Sequence, residues 1–231
     1  MGDRAETGAN RIAAKLSEII LGGQDGLVNV AGVILGLAAA TTDTRVIIAG
    51  GLAATFAESI SMAAVAYTSS LASLDYYRAQ RARERAEISA TPHAERAEVE
   101  AIFRGWGFEG KLLQDSVDHI TRHEAHWLDI MMAHELQLQP VEEDGLLSDA
   151  LLVGVSAVVG SLVPLFPFFF LPRVTAMWVG LIASALVLFG VGAFKARITV
   201  GRPARSGVQM MLIGMVSALA GYAIGALFGS M

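Results

Sequence analysis

Five long apolar stretches, separated at one point by a highly charged segment, restrict this chain more than any other feature. They are Ile19–Ala40, Val46–Leu74, Leu146–Leu171, Val174–Phe194 and Val208–Phe228. About 20 helical residues at ~1.5 Å rise cross a hydrocarbon layer of about 30 Å, so each stretch is long enough to span a bilayer. A soluble protein scatters its apolar residues, whereas this one, 54% hydrophobic with a mean hydropathy of +0.52, collects them in blocks. The first block is too long for the core of a signal peptide and reads as a retained helix.

Charge placement orients the spans. Of 17 Lys and Arg residues, only Arg45 and Arg173 fall in the first and third connections; the others lie in the amino-terminal arm, in the segment from Arg78 to Arg122, and in the fourth connection with Lys195, Arg197, Arg202 and Arg205. The positive-inside rule then puts the arm, the charged segment and the fourth connection in the cytosol, and the carboxyl terminus on the far side. The expected fold is an all-α membrane protein of five transmembrane helices, with a three-helix cytosolic domain inserted between spans two and three. The divisions are an arm over 1–18, spans one and two over 19–75, the inserted domain over 76–144, and spans three to five over 145–231. With no cysteine, the chain has neither disulfides nor thiolate metal sites.

Inside the first span lies Asp25, a carboxylate where charge costs roughly 2.5 to 3.5 kcal/mol even on the lenient insertion scale. Such a residue is a candidate for the ion pathway. Asn29, one turn later, is a neutral ligand or an interhelical hydrogen-bond partner. Glu58, in the second span, is four residues before Met62 and therefore on its helix face. Met62 supplies a soft contact or fills space, the commoner use of a methionine.

The inserted segment has a pattern of its own. Glu84 and Glu87 are spaced i, i+3 on the helix that continues span two to Ser89; Glu95 and Glu98 repeat the spacing after Thr91-Pro92, a helix start with Thr91 as candidate cap. Gly105, Gly107 and Gly110 mark a turn, and a third helix is expected over 112–138, carrying Met131, Met132 and Glu135 and ended by Pro140. Three such faces can converge on divalent cations, with carboxylates suiting iron(II), manganese(II) and zinc and thioethers biasing against magnesium and calcium. The same spacing also fits a solvated acidic face, with the glutamates paired to Arg81, Arg83 and Arg85 and the methionines as core. All five histidines fall here: His93, His119, His123, His126 and His134. His119, His123 and His126 share a helix face, which suits either a metal or solvent, and His134 is a neighbour for Glu135.

Together, the runs QDGLVNVAGVILG, SMAA (Ser61–Ala64), RERAEI (Arg83–Ile88), MMAHEL (Met131–Leu136) and FKARITVGRPARSGVQMMLIGMVSALAGYAIG resemble the vacuolar iron transporter family in order from Leu16 to Gly229. The resemblance implies a homodimeric five-span carrier that moves iron(II), and often manganese(II), out of the cytosol in exchange for protons. By residue, it implies that Glu84, Glu87, Glu95, Glu98, Met131, Met132 and Glu135 bind metal, and that Asp25 and Met62 line the pathway. One departure stands out. Where the family carries Gly-Glu-Tyr or Gly-Glu-Phe after SMAA, this chain has Val65-Ala66-Tyr67, so Glu58 is the carboxylate available on the second span; Gln24 likewise replaces an asparagine.

The motif content excludes other classes. There is no P-loop, dinucleotide fingerprint or zinc-protease motif. The acidic pairs are Glu-x-x-Glu, where a di-iron oxidase bundle uses Glu-x-x-His, so the chain reads as a transporter rather than an enzyme, without a prosthetic group. Basic residues are too mixed with acids for a nucleic-acid surface. Alternatives left open are a manganese-preferring exporter and a membrane-anchored metal buffer. Its compact, alanine-rich chain suggests a prokaryotic plasma membrane. Gly32 and Gly36, with Gly221, Gly225 and Gly229, have spacings for close helix contact within the chain or across a dimer, and Pro164 and Pro167 are expected to kink or end span three.

Overall fold

The computed structural model describes residues 2–141, 143–198 and 201–229, with side chains from residue 15 onward, so Arg4 and Arg11 of the arm lie outside the described side chains. Nearly all of it is helical: α1 (Gly2–Ala40), α2 (Thr44–Ala90), α3 (Pro92–Gly105), α4 (Gly110–Thr121), α5 (Glu124–Ile130), α6 (Leu146–Leu165), α7 (Arg173–Ile198) and α8 (Pro203–Gly229). Among the described residues, five helices are long and apolar enough to cross a membrane: Lys15–Ala40, Thr44–Ala90, Leu146–Phe169, Arg173–Ile198 and Pro203–Gly229. Two compact units form, Met1–Tyr67 with Leu147–Met231, and Thr68–Leu146.

In the first unit, the membrane unit, helices meet through missing side chains. A Cβ on Gly36 would sit 2.8 Å from the Gly221 carbonyl oxygen, and one on Gly221 or Gly225 would collide with the backbone of Gly32 or Gly36. The Gly-xxx-Gly spacings of spans one and five are therefore an intrachain seam between α1 and α8. A second seam, not anticipated from spacing, brings Gly22, Gly23 and Gly26 of α1 against Val153, Ala157 and Gly160 of α6. Val30, Ile34, Ile47, Leu165 and Phe168 form a buried apolar core of this unit. Span three stops short of Leu171. Pro164 is accommodated inside α6, but Pro167 cannot continue an α-helical ladder, and the chain tightens to a 3-10 turn over Phe166–Phe169.

The second unit differs from the expected three helices. Its third helix is interrupted: α4 ends at Thr121, His123 is extended (φ −119°, ψ 112°), and α5 restarts at Glu124. No Gly or Pro forces this break. Thr121 turns its hydroxyl back onto the Val117 carbonyl at 2.8 Å while accepting from Arg96 at 2.9 Å, and Arg96 also pairs with Asp118, so the end of α4 is pinned to α3. Beyond Ile130 the helix widens into a π turn, Met131–Glu135, with the Leu136 N–H on the Met131 carbonyl at 3.1 Å, and Gln137 takes a left-handed conformation (φ 54°). Thr91 does not cap α3; its hydroxyl donates to the Glu87 carbonyl at 3.2 Å. Ile88, Val99, Phe103, Leu113, Val117, Trp127 and Leu128 make the core of this unit.

Candidate metal centre and ion site

Acidic residues sit on core-facing helix positions in the second unit. On α2, Glu84 is one turn before buried Ile88; on α3, Glu95 precedes buried Val99 and Phe103 at i+4 and i+8. Both carboxylates are consequently drawn inward, Glu84 to 3% exposure and Glu95 to 7%. The π turn brings the third: carboxylate oxygens of Glu84, Glu95 and Glu135 all lie within 4.8 Å of one another. A π turn adds one residue to the helical ring, a distortion common at functional sites. Here it buries the consecutive Met131 and Met132 while Glu135 reaches the cluster from an exposed position.

Crowding like charges in a desolvated place raises the cost of ionisation. Glu84 is pushed up to about 7 by burial first, then by the charges of Glu135 and Glu95, with a hydrogen bond to Glu95. Glu135 is exposed as a residue, but partial desolvation of its carboxyl group, then the charge of Glu98, push it up to about 7. Burial and the Glu98 charge raise Glu95. One oxygen of Glu84 is buried with no hydrogen-bond partner. A buried acceptor of this kind calls for a proton, a water or a cation.

The remaining expected residues divide. Glu98 is exposed beside Glu135, while Glu87 is half-buried and held by Arg83 at 2.9 Å, the arginine pairing foreseen for a solvated face. Met131 and Met132 are 0% and 2% exposed within the hydrophobic core, so packing accounts for them as well as ligation does. Because the helix breaks at His123, the expected face of His119, His123 and His126 does not form; the rings of His123 and His126 touch edge to face at 5.5 Å. His134 packs on Trp106 at 4.8 Å.

In the membrane unit, α1 and α2 bring three polar side chains together. Asn29 donates to Asp25 at 3.2 Å, and Glu58 of α2 lies within interaction range of both Asp25 and Asn29. Met62 follows one turn along α2, half-buried, and Gln24 points instead into a groove with Ile20, Leu27 and Leu152. Two acids escaped the sequence reading, Glu18 and Asp149: they lie within electrostatic range of each other, and Glu18 is two turns before Asp25 on the same face of α1. Its spacing of seven residues from Asp25 was the available signal.

A family model described as the VIT family matches residues 16–226. The chain belongs to the VIT family. Similar proteins include the vacuolar iron transporter 1 of Tulipa gesneriana, 33% identical over 208 residues that cover 90% of this chain and 84% of that one. The vacuolar iron transporter 1 of Oryza sativa subsp. japonica is 33% identical over 206 residues, covering 89% and 82%. The vacuolar iron transporter of Plasmodium berghei (strain Anka) is 29% identical over 222 residues, covering 92% and 81%. These relatives are named for the vacuole and give no support to a prokaryotic plasma membrane as the residence of this VIT-family chain.

Proposed function

We propose that this metal transporter carries iron(II), and also manganese(II), out of the cytosol in exchange for protons. The observation that carries the reading is the cluster of Asp25, Asn29 and Glu58 on two membrane-spanning helices. Two neighbouring carboxyl groups disfavour carrying two charges at once and can hold either a proton or a cation between them. Competition between metal and proton at one site is the simplest physical basis for antiport. Glu58 thereby stands in for the carboxylate missing at Val65-Ala66-Tyr67, and Met62 adds a soft contact that disfavours magnesium.

Outside the membrane, the Glu84–Glu95–Glu135 cluster, flanked by Glu87, Glu98, Met131 and Met132, takes metal from the cytosol. Hard oxygens with adjacent thioethers suit iron(II), manganese(II) or zinc. A homodimer accounts for the exposure of the pathway helices: Asn29 is exposed and Ile60 and Phe56 are 68% and 57% exposed, and a polar side chain of this sort belongs against a second copy rather than lipid.

Reconstituted vesicles test the proposal. Iron(II) and manganese(II) flux that rises with an imposed pH gradient, and moves protons the opposite way, is expected. Metal binding with no flux would make the protein a buffer instead, and manganese flux without iron flux would make it a manganese exporter.

A further inference from the structure

Arg173 opens α7 at the end of the membrane unit remote from Lys195 and Arg197. One terminal nitrogen, Nη1, donates to the Ala38 carbonyl at 2.6 Å and the Thr41 carbonyl at 3.1 Å. Ala38 is in the last turn of α1, whose last carbonyls have no partner within the helix, and Thr41 directly follows that helix. Carbonyl dipoles bring only partial negative charge. Among the described residues no carboxylate pairs with Arg173, and its Nε and Nη2 form no hydrogen bond. A half-buried guanidinium at the membrane boundary is thus left with two directed donors and no counter-ion.

Those donors border a cavity of about 480 Å3 between α1, α7 and α8, of which Arg173 is the one charged lining residue. Leu35, Leu181 and Leu219 line it deeper in, and Trp178 and Tyr222, 62% and 43% exposed, stand beside it. Trp178 is five residues into α7 and Tyr222 seven residues before the end of α8, about 8 to 10 Å from the helix ends. Aromatic rings with one polar edge settle at that headgroup level. A cation at headgroup depth above an apolar slot matches an anion joined to a hydrocarbon chain.

We propose that this cavity binds one anionic phospholipid, its phosphate on Arg173 and one acyl chain along Leu35, Leu181 and Leu219. A bound lipid would fasten the ends of α1, α7 and α8 together at the side of the membrane opposite the basic connections. This site is independent of Asp25, which lies about 20 Å away along α1.

Quenching of Trp178 tests it, with the full chain in phosphatidylcholine vesicles and the Trp178→Phe protein as baseline for the other tryptophans. Phosphatidylglycerol with brominated acyl chains is expected to quench at a mole fraction about fivefold lower than brominated phosphatidylcholine, the ratio of one lipid–cation attraction. Arg173→Gln should bring the two lipids to parity, and Arg173→Lys should keep part of the preference. Since Arg173 also caps α1, Leu219→Phe provides a variant that narrows the slot and leaves the cap intact; it too should lower the preference. Equal quenching in the wild type would mean ordinary surrounding lipid and overturn the proposal. So would no quenching by either lipid, as when a second copy covers the cavity, or a preference that survives both Arg173→Gln and Leu219→Phe. Release of the brominated lipid by inorganic phosphate or by oleate at equal mole fraction would assign the site to a free anion or a fatty acid, and would also overturn it.

Discussion

The two acidic sites solve opposite problems. In the second unit, Glu84, Glu95 and Glu135 crowd within 4.8 Å, and Glu84 has a buried oxygen without a partner. In the membrane unit, Asn29 bonds Asp25, and Glu58 stands beside both. The first is a three-carboxylate cluster with a buried, unpartnered oxygen; the second pairs two carboxyl groups with an amide inside the membrane spans. The packing differs in the same sense: an aliphatic and aromatic core surrounds the cluster, whereas glycine seams let the membrane helices touch.

The largest effect expected is on the seams. Gly225→Leu places a side chain where the Gly36 backbone already is, and overpacking beyond about 3 kcal/mol should leave little folded protein by size-exclusion profile. A folded variant would show that the α1–α8 seam yields. Next, Glu84→Gln should weaken iron(II) binding by about tenfold or more in calorimetry, and make the metal-free unit more resistant to urea by removing a buried unpaired charge. Unchanged affinity would reduce the cluster to a packing feature.

Protons give the third test. The carboxyls of Glu84 and Glu135 are raised to about 7 in the fold, above an ordinary value of 4.5, so the folded state binds more protons than the unfolded one between those values. Stability of the metal-free unit is accordingly greatest below about pH 4.5 and falls as pH rises to about 7, with the penalty complete above that. Metal affinity runs the other way, rising to about pH 7 and then levelling, because protons no longer have to leave. Urea midpoints and metal titrations across this window check both signs, and a flat response would contradict the assigned crowding.

Much of this was legible from the sequence. The spans and the long second helix follow from hydropathy and from the absence of a break before Ala90, and the i, i+3 spacing of the glutamates marks the acidic helix faces. The break at His123 was not, since no Gly or Pro makes it; it is held by the tertiary contacts of Arg96 with Thr121 and Asp118. The π turn was hidden for the same reason: MMAHE carries no signature of i to i+5 bonding. Nor can spacing tell that one glutamate of each pair turns inward, while Glu87 is taken by Arg83.

Smaller effects refine the contrast. Met131→Leu conserves volume and should cost less than about 1.5 kcal/mol of stability, yet reduce discrimination of iron(II) from magnesium if the thioether is a ligand. Competition binding decides whether it is. Smallest is Arg85→Ala, which removes an exposed bond to Glu124 at 2.6 Å and should change stability by at most about 1 kcal/mol, with metal affinity unaltered.

The central claim is that metal and proton compete at Asp25 and Glu58. Its most direct test is iron(II) flux into vesicles under an imposed pH gradient, for wild type, Asp25→Asn and Glu58→Gln. Flux should collapse in Asp25→Asn, and Glu58→Gln should lose its dependence on the gradient. Wild-type flux and coupling in Asp25→Asn would contradict the account.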